Sequence, residues 1–351
     1  MKSIAVQAER TYEVSIDCSW KSELLQIAQG RSRVAIIYSS QMRESIRFEA
    51  DADAEFHFFE VSDGESAKSV STLSSLWNWL GAAGFTRSDL IVGVGGGAIT
   101  DLTGFAAATW LRGIDWVAVP TSIAGMVDAS VGGKTGINSD FGKNLIGAFH
   151  SPQSVLIDFS WLETLSQRDF AAGFAEVVKC GFIVDPQILT LLSGHTSQSL
   201  HSNARLVSEL VARSIQVKAD VVGADFRESF AREVLNYGHT LGHAIESHSK
   251  YSLRHGEAIS IGLVYAAELA HARGLITTEI LDQHRELLHA QGLPTSYPSS
   301  AWPALWPLLA LDKKARGRQL RFVVLNGLGS TTRLEDLNES ELSSAYERIS
   351  T

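Results

Sequence analysis

Two rhythms of apolar residues divide this chain. Up to about residue 155, short apolar runs alternate with amphipathic windows. Val34 to Ser39 (VAIIYS) is a β-branched run bounded by polar residues, the pattern of a buried strand. Between Ser66 and Gly84, Val70, Leu73, Leu76 and Leu80 recur at helical intervals before a closing glycine. DLIVGVGGG, from Asp89, predicts a second strand ending in glycines; ITDLTGFAAATWLRG predicts the helix after it, and WVAVP, from Trp116, the next strand. Such a series predicts a parallel sheet covered on both faces, with ligands at the carboxyl ends of its strands. From about Trp161 the windows lengthen. Leu206, Leu210, Val211, Ile215 and Val217 form one helical stripe, and EAISIGLVYAAELAHARG reads as a second strong helix closed by Gly274. One β-like run, LRFVVLNG, interrupts the helices. The expected organisation is an α/β domain over residues 1–155 and a mainly α-helical domain over 156–351, without internal repeats.

Composition narrows the partners. The 351 residues suit two domains, and 45% hydrophobic with 20% charged residues suits a well-packed globular protein. A formal net charge of -9 argues against nucleic-acid or anionic-membrane partners, which repel an acidic surface. Two cysteines, Cys18 and Cys180, make no disulfide framework and fit a reducing compartment. The first residues, MKSIAVQAERTYEV, lack the apolar run of a signal peptide, so a cytoplasmic protein without a membrane span is expected.

Four segments carry candidate chemistry. VGVGGGAITDLTG joins a strand to a helix, where Gly95, Gly96 and Gly97 would let backbone amides approach a pyrophosphate at a helix N-terminus. A tight turn without a ligand would use the same glycines, and the spacing departs from G-x-G-x-x-G. Upstream, SDGESAKS places Glu65 and Lys68 at another strand end, either as a second cofactor contact or as a helix start capped by Ser62 or Asp63. MVDASVGGKTGINSDFGKNLIGAFHSP carries Lys134, Lys143, Asp128, Asn138 and Asn144 among glycines, which reads as a loop wrapped around an anion. Finally, LNYGHTLGHAIESHSKYSLRHGE holds His239, His243 and His255 beside glycines, with Glu176 upstream in the helix-like AGFAEVVKCG. Two histidines and a carboxylate make a common catalytic zinc shell, although His-x-x-x-His alone does not say which histidines bind. No glutamate follows His239, which excludes the zinc-protease motif.

Taken in order, DGESAK, GGGAITD, PTS, VGGKTGIN, GKNLIGAF, AEVVK, LNYGHTLGHAIE, HGEAISIG and DKK resemble the 3-dehydroquinate synthases, over most of the chain. The resemblance implies a Rossmann-like, NAD-binding first domain and a metal- and substrate-binding helical one. It implies Glu176, His239 and His255 as ligands of one divalent metal, zinc or alternatively cobalt, with His243 lining the substrate pocket. NAD-contacting positions would be Asp63, Gly64, Glu65, Ser66, Ala67 and Lys68, then Gly97, Ala98, Ile99, Thr100 and Asp101. Thr121 and Ser122 would join them, the second replacing the usual threonine but keeping its hydroxyl, with Lys134, Lys143, Trp161, Leu162, Glu163 and Thr164. Pocket positions would be Arg112, Asp128, Lys134, Asn144, Lys179 and Lys218, with Glu228, Arg232, Asn236, His243, Lys313 and Lys314. Arg112 is expected to reach a partner's pocket, which implies a homodimer.

The implied reaction converts 3-deoxy-D-arabino-heptulosonate 7-phosphate to 3-dehydroquinate and phosphate. It proceeds through transient oxidation by NAD, phosphate β-elimination, re-reduction and intramolecular aldol closure. Sister sugar phosphate cyclases (valiolone, 2-deoxy-scyllo-inosose and aminodehydroquinate synthases) share this loop and metal shell. A metal-dependent polyol dehydrogenase shares the glycine turn, and a catalytically inert NAD-binding protein is a third class. Arg232, Asn236, Lys218 and the Lys313–Lys314 pair favour a substrate with a carboxylate.

Overall fold

The computed structural model describes residues 2–46, 54–227, 231–309 and 320–351, and the backbone alone over 310–315. The chain packs as two units, Met1–Leu165 with Lys218–Arg227, and Ser166–Val217 with Glu228–Thr351. Trp161 explains why the first unit runs on past residue 155: its ring packs 5.8 Å from that of Trp20, inside the first core.

The first unit contains β1 (Lys2–Val6), β2 (Tyr12–Ile16), α1 (Trp20–Ile27), β3 (Arg33–Ser39), β4 (Glu55–Val61), α2 (Val70–Ala82), β5 (Leu90–Gly95), α3 (Gly97–Thr109), β6 (Asp115–Pro120), β7 (Lys134–Ser139), β8 (Gly142–Phe149) and β9 (Ser154–Ile157). Seven strands form one sheet in the order β1-β2-β9-β6-β5-β3-β4. Every neighbouring pair is parallel except β1–β2 at the edge. β3 leads to β4 on one side while β5 leads to β6 on the other, so the direction of winding reverses between β3 and β5. In open sheets of this kind, ligands bind at the carboxyl ends of the strands at such a point. The core is what the sequence pattern predicts, with Val34, Ile36, Leu90, Val92, Val94, Val117, Val119 and Leu156 buried.

Two local structures differ from the sequence reading. The helix expected from Ser66 begins at Val70, because Gly64–Ala67 forms a separate 3-10 turn. Its cap is Ser69, whose Oγ accepts from Thr72 N at 3.1 Å, and not Ser62 or Asp63. The lysine-rich segment is not an open loop. After a π-helical turn, Gly125–Ala129, it folds as the antiparallel hairpin β7–β8. Facing glycines permit the pairing: a Cβ on Gly147 would stand 2.3 Å from the Thr135 carbonyl oxygen.

The second unit contains α4 (Gln167–Ile183), α5 (Gln187–Leu192), α6 (Ser197–His201), α7 (Ala204–Ala224, with its last residues in the first unit), α8 (His239–His248), α9 (His255–Ala272), α10 (Thr278–Ala290), α11 (Trp302–Ala315), β10 (Phe322–Leu325), β11 (Thr331–Leu334) and α12 (Glu339–Glu347). α4 and α9 are its central helices. α4 is buried without a break from Phe170 to Ile183, and α9 from Ala258 to Ala270, so both are enclosed on every side, and the charged residues they carry, Glu176, Lys179 and Glu268, are enclosed with them. Glycines bring their neighbours unusually near: a Cβ on Gly256 would lie 1.7 Å from the Ala172 carbonyl oxygen, and one on Gly262 would lie 1.9 Å from that of Gly238. No helix among the described residues is long and apolar enough to cross a membrane.

Candidate functional site

In the first unit, four expected nucleotide segments follow the carboxyl ends of four parallel strands. Asp63–Lys68 follows β4, Gly97–Asp101 follows β5, Thr121 and Ser122 follow β6, and Trp161–Thr164 follows β9. Gly96 caps α3 without a side-chain hydrogen bond. The α3 N-terminus thus presents backbone N–H groups and the positive end of its dipole. Gly95 and Gly97 are glycines for packing reasons, since their Cβ atoms would stand 2.5 Å from Ile99 and 2.8 Å from Ala129. At Gly96 an added Cβ meets only Ser122 Oγ, at 3.5 Å, so that position alone has room on its open side.

Lys68 organises this region. Its buried ammonium donates to Asp101 Oδ2 at 2.7 Å and to Asn144 Oδ1, with Glu65 at 3.8 Å. Burial raises the Asp101 pKa above the ordinary carboxylate value, although Lys68 pulls it down. Asn138 completes the stitching: its N–H donates to the Lys68 carbonyl at 2.9 Å, its Nδ2 to Glu65 at 2.7 Å, and its Oδ1 accepts from Asn144 N at 2.9 Å. Lys143 Nζ stands 3.8 Å from the same Glu65 oxygen. Asn144 adopts φ 55, a left-handed backbone that an asparagine tolerates. Asp63 accepts from Ser40 Oγ at 3.1 Å, which ties this turn to the end of β3.

The other first-unit positions are less gathered. Lys134 is exposed at the start of β7, and Lys218 meets the carboxylate and carbonyl of Asp128. Thr121 is buried and Ser122 accepts from Gly125 N at 3.2 Å. Trp161 and Leu162 are buried, whereas Glu163 and Thr164 are exposed. Arg112 is exposed after α3, where both it and Leu111 take positive φ, 67 and 49 degrees. Glu228 lies outside the described residues, as do the side chains of Lys313 and Lys314.

The second unit assembles the sharper constellation. α4 supplies Glu176, α8 begins with His239 and α9 begins with His255; one donor atom from each lies within 4.8 Å of the others. Glu176 Oε1 is 3.5 Å from His239 Nε2 and 3.3 Å from His255 Nε2. Gly238, with φ 79, starts α8 in a left-handed conformation that releases the chain directly into His239. A capping box starts α9, with Arg254 N donating to Glu257 Oε2 at 2.8 Å, and Arg168 of α4 grips both Glu257 oxygens at 2.6 and 2.7 Å.

Two outer partners, absent from the sequence reading, fix the rings. His239 Nδ1–H donates to the Tyr237 carbonyl at 3.0 Å, and His255 Nδ1 stands 3.3 Å from Glu246 Oε1. A carbonyl cannot donate, so His239 carries its proton on Nδ1 and presents a bare Nε2. The available signal for Glu246 was its spacing, seven residues after His239 on the same helix face. Burial, helped by the charge of Lys179, lowers the His239 pKa to about 3. Burial also opposes charge on His255, yet hydrogen bonds to Glu176 and Glu246 overrule it and push the pKa up to about 10. The two carboxylates thus favour positive charge at His255, while His239 stays neutral with Nε2 as an acceptor. With two imidazoles and a carboxylate in reach of one point, a divalent cation fits, and such a shell leaves one position for a substrate oxygen.

The same unit brings Lys179 onto Glu176, both buried, and buries Arg232 in the turn Ala231–Asn236, whose last residue is half-buried. His243 is exposed one turn along α8, its ring 5.2 Å from that of His239, and is outside the donor group.

Comparison with known proteins identifies the family. Residues 58–172 match the model of the 3-dehydroquinate synthase N-terminal domain, and residues 173–315 that of the C-terminal domain. A 3-dehydroquinate synthase from Mycolicibacterium vanbaalenii is 46% identical over 351 residues, covering 99% of this chain and 98% of that protein. Among solved structures, a 2-epi-5-epi-valiolone synthase from Streptomyces hygroscopicus, with NAD+ and Zn2+ bound, superposes with a TM-score of 0.90 at 27% identity, covering 99% of this chain and 98% of its own. A 2-deoxy-scyllo-inosose synthase complexed with carbaglucose-6-phosphate, NAD+ and Co2+ gives 0.88 at 25% identity, covering 99% and 100%.

Proposed function

The chain belongs to the 3-dehydroquinate synthase family, and from that premise we propose how its residues divide the reaction. It is an enzyme of this type, converting 3-deoxy-D-arabino-heptulosonate 7-phosphate to 3-dehydroquinate and phosphate on the route to chorismate and the aromatic amino acids. When bound, NAD+ takes up and returns a hydride, and a divalent cation, zinc or else cobalt, polarises a substrate oxygen.

In the first unit, the bare N–H groups of Gly97 and Ala98 at the start of α3 suit a pyrophosphate. Asp63 to Lys68, Ile99 to Asp101, Thr121, Ser122, Lys143 and Trp161 to Thr164 would surround the rest of the nucleotide. In the second, Glu176, His239 and His255 would hold the cation, an assignment supported by their convergence from three helices. That convergence is the single observation on which the reading rests.

Arg232, a cation held 1% exposed, is suited to an anionic group of the substrate, since its planar fork matches a carboxylate. Lys179, against the ligand Glu176, would place a second positive charge beside the reacting oxygens. His243, near the donor group but outside it, would hold a proton next to the substrate. Lys134, Asn144 and Lys218 with Asp128 in the first unit, and Asn236 in the second, are further proposed substrate contacts, as are Glu228, Lys313 and Lys314. Arg112, exposed on a left-handed backbone, supports a homodimer in which it serves its partner, and we place that dimer in the cytoplasm.

The likeness to the valiolone synthase keeps other sugar phosphate cyclases as the second reading. Arg232, Asn236, Lys218 and the Lys313–Lys314 pair together suit a substrate that carries a carboxylate as well as a phosphate. The test is phosphate release with substoichiometric NAD+. Many turnovers per NAD+, no build-up of NADH and inhibition by a chelator are expected with the heptulosonate phosphate. No phosphate from it, but NADH accumulation with a simple polyol, would overturn the proposal.

A further inference from the structure

The two histidines of the donor group are oriented by partners of different charge. His239 leans through Nδ1 on a neutral backbone carbonyl, that of Tyr237. His255 leans through Nδ1 on the carboxylate of Glu246, which is 2% exposed and comes from α8 although His255 begins α9. Both arrangements leave Nε2 facing the same oxygen of Glu176. Glu246 does more than a carbonyl could. A full negative charge on the far side of the imidazole increases the electron density that its other nitrogen offers a cation. It also offsets the positive charge of Lys179, which stands against Glu176 at the same centre.

We propose that Glu246 is a positioning residue of the metal centre, turning the Nε2 atom of His255 towards the cation and strengthening it as a ligand. Without it, His255 is free to rotate and offers a weaker donor, while His239 keeps its orientation through Tyr237. The inference rests on Glu176, His239 and His255 being the metal set.

The experiment is a chelator competition for Zn2+, run on the full-length wild type and on Glu246→Gln, Glu246→Ala and His255→Ala, with thermal melting measured on the same samples. Glu246→Ala is expected to weaken Zn2+ by about 10- to 100-fold, the usual effect of removing an outer partner. Glu246→Gln keeps an oxygen that can accept from Nδ1–H, so it isolates the charge and is expected to lie between wild type and Ala. In the Co2+-loaded protein the visible absorption should change for Ala more than for Gln, because only Ala frees the ring. Wild-type Zn2+ affinity in both Glu246 variants overturns the proposal, even if both melt early, since a residue serving only the fold would give that result. Failure of the wild type itself to bind Zn2+, or equal binding by His255→Ala, would instead overturn the metal assignment beneath it.

Discussion

Gly256 tests whether helix packing sets the metal geometry. It follows His255 directly, and an added Cβ would sit 1.7 Å from the carbonyl oxygen of Ala172, one turn before Glu176 on α4. Carbon and carbonyl oxygen need roughly 3.3 Å, so Gly256→Ala must push the start of α9 from α4 by about 1.6 Å. The obstacle is backbone, which cannot rotate away. Helix propensity favours alanine by up to ~1 kcal/mol, and overpacking costs about 1–3 kcal/mol, leaving a net loss of at most about 3 kcal/mol. The protein should still fold. The cation is less forgiving, because metal sites tolerate only about 0.2 Å of error in ligand distance. His255 would leave Glu176, now 3.3 Å away, by more than that. Phosphate release and Zn2+ affinity should each fall by about two orders of magnitude, in line with the effect of a 1 Å misplacement. Gly223→Ala is the control, since its Cβ makes ordinary contacts, 3.5 Å to Gln7 Cβ and 3.7 Å to the Gln7 carbonyl oxygen, and it should be neutral or slightly stabilising. Wild-type Zn2+ binding and activity in Gly256→Ala would refute the reasoning.

Two further outcomes are expected. His255→Ala should lose zinc and phosphate release together, whereas His243→Ala should keep zinc and lose activity; equal metal content in both, by elemental analysis, would erase that distinction. Lys68→Met removes the ammonium shared by Asp101 and Asn144, so NAD+ affinity by calorimetry should drop about tenfold or more, with a lower melting temperature; unchanged affinity would confine Lys68 to the fold.

Long, one-sided or wholly apolar signals were legible in the sequence. α9 and β5 are recognisable because burial dictates nearly every residue in them. β7–β8 was not, since the pair belongs to no larger sheet and leaves Leu145 60% exposed, so no alternation of apolar and polar residues survives. The antiparallel β1 was missed for a related reason: five residues at a sheet edge carry too little pattern. Ser69 as the α2 cap was hidden among neighbouring serines and an aspartate, each an adequate cap by type. At the candidate metal site, His239, His255 and Glu176 stood out by residue type. Glu246 looked like any acidic residue on a helix, and only the crossing of α8 with α9 gives it a histidine to hold.

The glycine contacts that seat α9 against Ala172 and Gly238 join main chain to main chain, and main chain has no rotamers to rearrange. The cage proposed for the cation would therefore be inherited from helix docking and would not wait for the ion to draw it together. This sets the protein apart from small zinc domains that unravel when stripped. Its unloaded form would be a folded reserve, able to recover activity as soon as metal returns, with supply rather than refolding setting the pace.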